Sequence, residues 1–217
     1  MAWLAYDRRG TSARRPAVSV DDGPDRGARS YSPHAMAGAG RDERAWVRGA
    51  QGGSASDFEA LFRAHWPRAY RAAYLVVHDA AGAEDVAQEA FIAAVRALDR
   101  FDSGRPFGPW LHRIVVNRAI DWARARSLRR EVGAGEAIAD VASEERADPA
   151  APLPEDVVSA LASLSPEHRA VVVLRYVLEY TPGEIARMLE LPRGTVNSRL
   201  RRGLDALQGA VDEEEKR

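Results

Sequence analysis

The stretch from Tyr180 to Leu207 constrains the fold of this chain most strongly. Thr181 is a favourable N-cap, Pro182 suits the first helical position, and Glu184 completes a capping box. The dipeptide Leu191-Pro192 ends that helix, because proline disfavours a helical conformation at the residue before it. A second helix follows after a tight turn. This arrangement is typical of a helix-turn-helix motif.

The second helix of this motif has an apolar side and a basic side. Its apolar residues recur at spacings of four, four and three, so at about 100° per residue they share one face; they are Val196, Leu200, Leu204 and Leu207. The rest of the surface supplies the candidate DNA-binding residues Arg193, Thr195, Asn197, Ser198, Arg199, Arg201 and Arg202. A merely solvated helical hairpin usually mixes both charge signs, whereas residues 193–202 carry positive charge alone. The pattern therefore favours a recognition helix for the major groove.

Charge is distributed unevenly along the 217 residues, although 31 basic and 32 acidic side chains nearly cancel overall. Residues 58–130 hold twelve Arg against eight acids, residues 131–156 one against eight, and residues 157–211 seven against five. Two mildly basic blocks with an acidic segment between them indicate two domains joined by a linker. We expect an all-α protein with helical domains at residues 54–130 and 155–211, a flexible acidic linker at 131–154 and a charged tail at 212–217.

Several classes of protein are excluded by composition. The chain has no cysteine, which rules out disulfides, thiolate metal sites and thiol redox chemistry. The five histidines show no paired metal-ligand spacing, and no catalytic triad, paired carboxylates or Gly-rich phosphate loop is visible, so we expect neither an enzyme nor a cofactor. No apolar run reaches membrane-spanning length and no signal-peptide core is present, which predicts a cytoplasmic protein without membrane insertion.

The first 53 residues show no sustained apolar periodicity and are rich in Gly, Ala, Arg, Ser, Pro and Asp. Such a segment cannot bury enough surface to offset its ordering entropy, so we expect it to be disordered. Its nine Arg against six acids could touch nucleic acid, but the composition favours a solvated tail. Met36 is an alternative translation start.

The first domain is expected to open with a helix that begins at the capping box Ser56–Glu59 and is kinked, or restarted, at Pro67. A later helix from Ala83 to Arg100 has a polar side that carries Asp85, Gln88, Glu89, Ile92 and Arg96. An isoleucine ringed by charged and amide side chains resembles a small contact surface with a polar rim. A lone exposed isoleucine is also common. A solvated face and a partner-binding face therefore both remain open.

A loop and the helix after it carry a second set of candidate DNA-binding residues. Phe101 and Phe107 lie at the two ends of the loop, with Ser103 and Arg105 between them. The helix from Trp110 to about Leu128 adds the candidates Trp110, Arg113, Asn117, Arg118 and Arg124. Guanidinium and amide groups in line supply donors for phosphates and base edges. The two phenylalanines could enclose an unpaired base, or they could pack into the core.

Both blocks together resemble the extracytoplasmic-function class of bacterial RNA polymerase sigma factors. The segments Phe58–Phe62, Ala83–Phe91 and Pro109–Arg118 resemble conserved region 2 of that family. The segments Leu161–Arg169, Tyr180–Leu189 and Gly194–Arg199 resemble region 4. The intermediate region-three domain is missing and an acidic linker joins the two blocks. One departure is Asn197, where the family commonly has lysine.

The resemblance implies a subunit that gives core RNA polymerase its promoter specificity. The helix Ala83–Arg100 would dock on the clamp coiled coil of the β′ subunit through Asp85, Gln88, Glu89 and Ile92, and region 4 would meet the β flap. The loop 101–107 and the helix after it would open the minus-ten element and trap a flipped base of the non-template single strand. The helix-turn-helix would read the duplex minus-thirty-five element. An anti-sigma factor is a further expected partner.

Two other classes remain possible from the residues alone. A stand-alone helix-turn-helix regulator would explain the C-terminal block, but it leaves no role for the acid-rimmed helix. An all-helical enzyme or scaffold is disfavoured because no catalytic set converges. Co-purification with core polymerase separates the first of these from a sigma factor.

Overall fold

The computed structural model describes residues 39–132 and 155–214, and these residues form eight α-helices. The helices are α1 Ala39–Gln51, α2 Ala55–Val77, α3 Ala80–Ala97, α4 Phe107–Val132, α5 Glu155–Ser163, α6 Pro166–Val172, α7 Pro182–Met188 and α8 Arg193–Glu214. A 3₁₀ turn, Leu98–Arg100, follows α3, and a π-helical turn, Val173–Val177, continues α6. The all-α fold class predicted from the sequence is confirmed. Most of the predicted linker lies outside the described residues.

The start of α2 differs from the sequence prediction. Ser54, and not Ser56, is the N-cap, and its hydroxyl accepts a hydrogen bond from the Asp57 N–H at 3.3 Å. Pro67 lies inside α2, which continues as one helix to Val77 and does not restart there. α3 begins three residues earlier than expected, because the Asp79 carboxylate caps it by accepting from the Gly82 N–H at 2.7 Å.

Aromatic residues and a glycine position α2, α3 and α4 against one another. The Phe62 ring lies 4.9 Å from Trp66 on the same helix and 4.8 Å from Phe91 on α3, measured between ring centroids. Gly82 of α3 faces the Trp122 indole of α4 so closely that a Cβ at this position would lie 2.3 Å from a ring atom. These contacts bury one side of α3 and leave its acidic side outward.

α1 corrects the prediction that residues 1–53 are disordered. Residues 39–51 are helical, and Val47 is 1 % exposed in contact with the core, with Trp46 and Ala50 packed beside it. A helix this short is marginal in isolation, so its order depends on tertiary packing of this small apolar face. The three apolar residues were too few to show a period within a Gly- and Arg-rich segment. Residues 1–38 lie outside the described part of the chain.

The caps predicted for the C-terminal helices are present. Thr181 accepts from the Glu184 N–H at 3.3 Å while the Glu184 carboxylate accepts from the Thr181 N–H at 2.8 Å, which completes the capping box of α7. Ser165 caps α6, with Pro166 at its first position. Val196 and Leu200 of α8 are buried, as their spacing predicted.

The two groups of helices pack directly against each other. The Arg169 guanidinium of α6 is buried and donates to the carbonyl of Val76 on α2 at 2.5 Å, and also to the carbonyls of Ala162 and Leu164. Burial lowers the pKa of Arg169 to about 10, so it is still charged at neutral pH. The Tyr180 hydroxyl lies 2.7 Å from His112 Nδ1 of α4, and both side chains are buried. One continuous hydrophobic core therefore includes residues of both groups.

Candidate DNA and polymerase interfaces

The surface of α8 that faces away from the core carries the predicted recognition residues. Arg193, Ser198, Arg201 and Arg202 are exposed, and Thr195, Asn197 and Arg199 are half-buried along its edge. Within residues 39–132 and 155–214, none of the four arginines forms an ion pair with a carboxylate. The face consists of uncompensated positive charge and short hydroxyl and amide groups. These are the donor types that bind phosphates and base edges.

The aromatic residues of the loop between α3 and α4 do not face outward. Phe101 is 8 % exposed and Phe107 is 1 % exposed. Their ring centroids lie 5.8 Å apart, and that of Phe101 lies 4.5 Å from Trp110, which is half-buried. In this arrangement the two rings therefore pack into the core, which is the alternative left open from the sequence, and their contact with DNA stays a prediction. Removing two large apolar rings from water stabilises the fold, which favours the buried position over an exposed one.

The polar part of the same loop faces solvent as a compact turn. Arg105 is exposed and Ser103 is half-buried. The Asp102 carboxylate accepts from the Gly104 N–H at 2.9 Å, and the Arg105 N–H donates to the Asp102 carbonyl at 2.9 Å. The Arg105 side chain also lies 3.5 Å from the Asp102 carboxylate. The tip of the loop thus presents one serine, one arginine and one aspartate.

Two of the candidate residues on α4 are paired with the C-terminal group of helices, one with the turn between α7 and α8 and one with α6. Arg113 forms an ion pair with Glu190, and Arg124 forms one with Glu167 at 2.6 Å. Burial acts to raise the pKa of Glu167, but its backbone hydrogen bond and Arg124 together hold it below the ordinary value. The DNA-binding assignment for α4 therefore requires these pairs to separate. Asn117, a further candidate on α4, is exposed.

The polar side of α3 is exposed as expected. Asp85, Gln88, Glu89 and Arg96 all face solvent. Ile92 is 49 % exposed, and Val95, one turn further along, is 46 % exposed. Sequence reasoning missed Val95, although its spacing of three from Ile92 places both on one side of a helix. The surface is therefore a two-residue apolar patch within a charged rim.

An ion pair joins the α3 surface to α4. The Glu89 carboxylate lies 2.8 Å from the Arg118 guanidinium. A residue assigned to polymerase binding is therefore in contact with a residue assigned to DNA binding. Among the described residues no cluster of His, Asp and Glu is suited to hold a metal ion, and none of the helices has the length and hydropathy to cross a membrane.

Comparisons with known proteins agree with this architecture. Residues 61–129 match the family model for sigma-70 region 2, and residues 155–207 match that for sigma-70 region 4. The ECF RNA polymerase sigma factor SigW of Bacillus subtilis is 37 % identical over 153 residues, which cover 64 % of this chain and 80 % of SigW. The ECF RNA polymerase sigma factor SigL of Mycobacterium tuberculosis is 32 % identical over 177 residues, which cover 77 % of this chain and 96 % of SigL.

A solved structure shows the same fold. CnrH, solved in complex with the cytosolic domain of CnrY, superposes with a TM-score of 0.59 at 28 % identity, over 79 % of this chain and 98 % of that one. The two family models, the helix-turn-helix and the region-2 helices together define a class of protein. The chain belongs to the ECF RNA polymerase sigma factors. It directs transcription initiation through its regions 2 and 4, and it is a non-enzymatic subunit.

Proposed function

We propose that α8 reads the duplex minus-thirty-five element of the promoter through its exposed basic face. The supporting observation is that Arg193, Arg199, Arg201 and Arg202 have no carboxylate partner among the described residues. The helix begins at Arg193, immediately after the turn, so its N-terminal residues enter the groove first, as in other helix-turn-helix proteins. Asn197 replaces the lysine common in the family and offers an amide for a base edge where lysine offers a charge.

The exposed side of α3 is proposed as the surface that docks on the β′ clamp coiled coil of core polymerase. Ile92 and Val95 supply a small apolar centre, and Asp85, Gln88, Glu89 and Arg96 supply its polar rim. An apolar centre with a polar rim is the ordinary construction of a protein interface. Region 4 is proposed to contact the β flap, which would space the two DNA-binding elements along the promoter.

The minus-ten element is proposed to meet the tip of the loop and the polar side of α4. Because Phe101 and Phe107 are buried, recognition of the non-template strand is assigned to Ser103 and Arg105 of the loop tip. Further along the same DNA strand, the proposed contacts come from the α4 residues Trp110, Arg113, Asn117, Arg118 and Arg124. Arg113 and Arg124 become available only when region 4 moves away from α4, since Glu190 and Glu167 occupy them here.

That separation needs free energy from polymerase binding. It breaks the two exposed ion pairs, which together contribute at most about 2 kcal/mol, and also the buried hydrogen bonds that join Arg169 to Val76 and His112 to Tyr180. Phosphates of the promoter can replace both carboxylates as partners of the arginines. We propose that core polymerase in the cytoplasm holds regions 2 and 4 at different sites on its own surface. This converts the closed arrangement into one that is competent to bind DNA. An anti-sigma factor is proposed as the competing partner, since the sigma factor RpoE of Bartonella quintana, which shares this fold, was solved in complex with the anti-sigma factor NepR.

Promoter-dependent transcription tests the assignment of α8. Arg199→Ala and Arg202→Ala are each expected to lower run-off transcription with core polymerase. If the arginine contacts a base edge, the loss in promoter binding should be about 1–3 kcal/mol, and specificity should relax at one position of the upstream element. Gln208→Ala, exposed further along α8, is the matched control. An equal loss on all upstream sequences would assign the arginine to a phosphate. Unchanged transcription would show that this face is solvated and does not contact DNA.

A further inference from the structure

Helix α1 holds both ends of the loop that precedes α4. The Gln51 side-chain amide donates two hydrogen bonds, one to the Leu98 carbonyl at 3.0 Å and one to the Phe101 carbonyl at 2.8 Å. Both N–H groups of one amide are thereby used where the 3₁₀ turn passes into the loop. Leu98 and Phe101 are 47 and 50 residues away along the chain, so local sequence spacing does not dictate the contact.

The other end of the loop is held by Glu43. Its carboxylate accepts from the Phe107 N–H, the first residue of α4, at 2.8 Å, and its second oxygen lies 3.4 Å from His65 Nε2. Burial acts to raise the pKa of Glu43, but the interactions with His65 and with the Phe107 N–H hold it below the ordinary value. The carboxylate is therefore ionised at neutral pH. A negative charge at the first turn of a helix interacts favourably with the helix dipole.

Between these two anchors the loop has little freedom. The Phe101 and Phe107 rings pack on each other and on the Trp110 ring. At the tip of the loop, the Asp102 carboxylate accepts a hydrogen bond from the Gly104 N–H. Gln51 and Glu43 lie eight residues apart on one rigid helix, which is about 12 Å at 1.5 Å per residue. The loop is thus tied at both ends to a single element that itself carries no residue of the proposed DNA surface.

We infer that Gln51 and Glu43 are positioning residues for promoter recognition: they hold the tip at residues 102–106 in the geometry that distinguishes bases of the minus-ten element. This rests on the proposed role of the loop. Misplacement by about an ångström is enough to weaken an oriented interaction severely, so a loop released at one end would still bind DNA phosphates but would discriminate poorly between bases. A positioning role differs from a fold-stabilising role because its loss changes the ratio of transcription between promoters more than it changes total transcription.

The test compares transcription from promoters that carry each of the four bases at each minus-ten position. Gln51→Met keeps the length of the side chain and removes both donors, and Glu43→Gln keeps an acceptor for Phe107 while removing the charge. Arg48→Ala, exposed on the same helix, is the control. With wild-type protein and core polymerase we expect the best base to be favoured by roughly tenfold, the scale of one specific base contact. Gln51→Met should reduce that preference to about twofold, Glu43→Gln should reduce it less, and Arg48→Ala should leave it unchanged.

Three results would overturn the inference or its basis, and they can be told apart. Wild-type preference retained in both Gln51→Met and Glu43→Gln would show that α1 does not position the loop. An equal loss of activity on every minus-ten variant, together with reduced helicity or weaker core binding, would show a structural role only. No base preference in the wild-type protein would remove the proposed function of the loop itself. A reduced preference with normal core binding and a normal response to the minus-thirty-five element would support the inference.

Discussion

Two poorly solvated histidines are expected to make the protein lose stability steeply between pH 7 and pH 5. Burial lowers the pKa of His112 to about 3, and electrostatic interactions with His65 and Arg68 lower it further. Burial also lowers the pKa of His78 to about 4, and Arg169 adds to the effect. His112 lies at the contact between the two groups of helices, beside the Tyr180 hydroxyl. Protonation of either ring therefore opposes the packed structure.

The size of the effect follows from proton linkage. An unfolded histidine has a pKa of about 6.5, so the unfolded chain binds more protons than the folded one as the pH falls below that value. The contribution of each histidine is complete above pH 6.5 and has been lost once the pH passes below its folded pKa. From pH 7 to pH 5 each ring reduces the free energy of unfolding by about 1.8 kcal/mol, and the pair by nearly 4 kcal/mol. That is a large share of the roughly 5–15 kcal/mol of a typical domain.

Urea unfolding at pH 7, 6 and 5, followed by circular dichroism, measures this loss. Carboxylates of the unfolded chain titrate mainly below pH 5, because their ordinary pKa is about 4, so this window isolates the histidines. His78→Asn suits the left-handed backbone at this position, where φ is 53°, and His112→Gln keeps a polar group near Tyr180. Each variant should lose about 2 kcal/mol less than wild type over the same interval. A wild-type loss under about 1 kcal/mol, or variants that keep the full loss, would refute the reasoning.

Two further predictions concern the proposed interfaces. Ile92→Asp combined with Gln88→Ala should weaken binding to core polymerase while the protein stays folded, because the new carboxylate lies in the apolar centre of the α3 surface. Pull-down with core polymerase measures the binding. Normal binding, or a loss of helicity, would contradict the assignment of this surface. The free chain should bind promoter duplex poorly in a gel shift at about 150 mM salt, because few phosphates can be neutralised by a region with seven Arg and five acids, which limits duplex affinity. Nanomolar sequence-specific binding without polymerase would contradict that mechanism.

Local features of this protein could be predicted from sequence because they depend on spacing within one helix. The capping box of Thr181 and Glu184 needs only residues three apart in the chain, and it is present with the expected partners. The basic side of α8 follows from the positions of Val196 and Leu200, which are buried. The exposed side of α3 follows in the same way from its period. The family resemblance rests on these same short segments.

Only the tertiary structure decided what the long-range partners are. Whether Phe101 and Phe107 are buried or exposed cannot be predicted from their loop positions, because either outcome is compatible with the local sequence. The hydrogen bonds of Gln51 and Glu43 on α1 reach groups about fifty and sixty residues away along the chain. The pairing of α4 arginines with Glu190 and Glu167 depends on how two groups of helices pack. Amphipathic spacing determines which face of a helix is buried, but shape complementarity between helices determines against which partner.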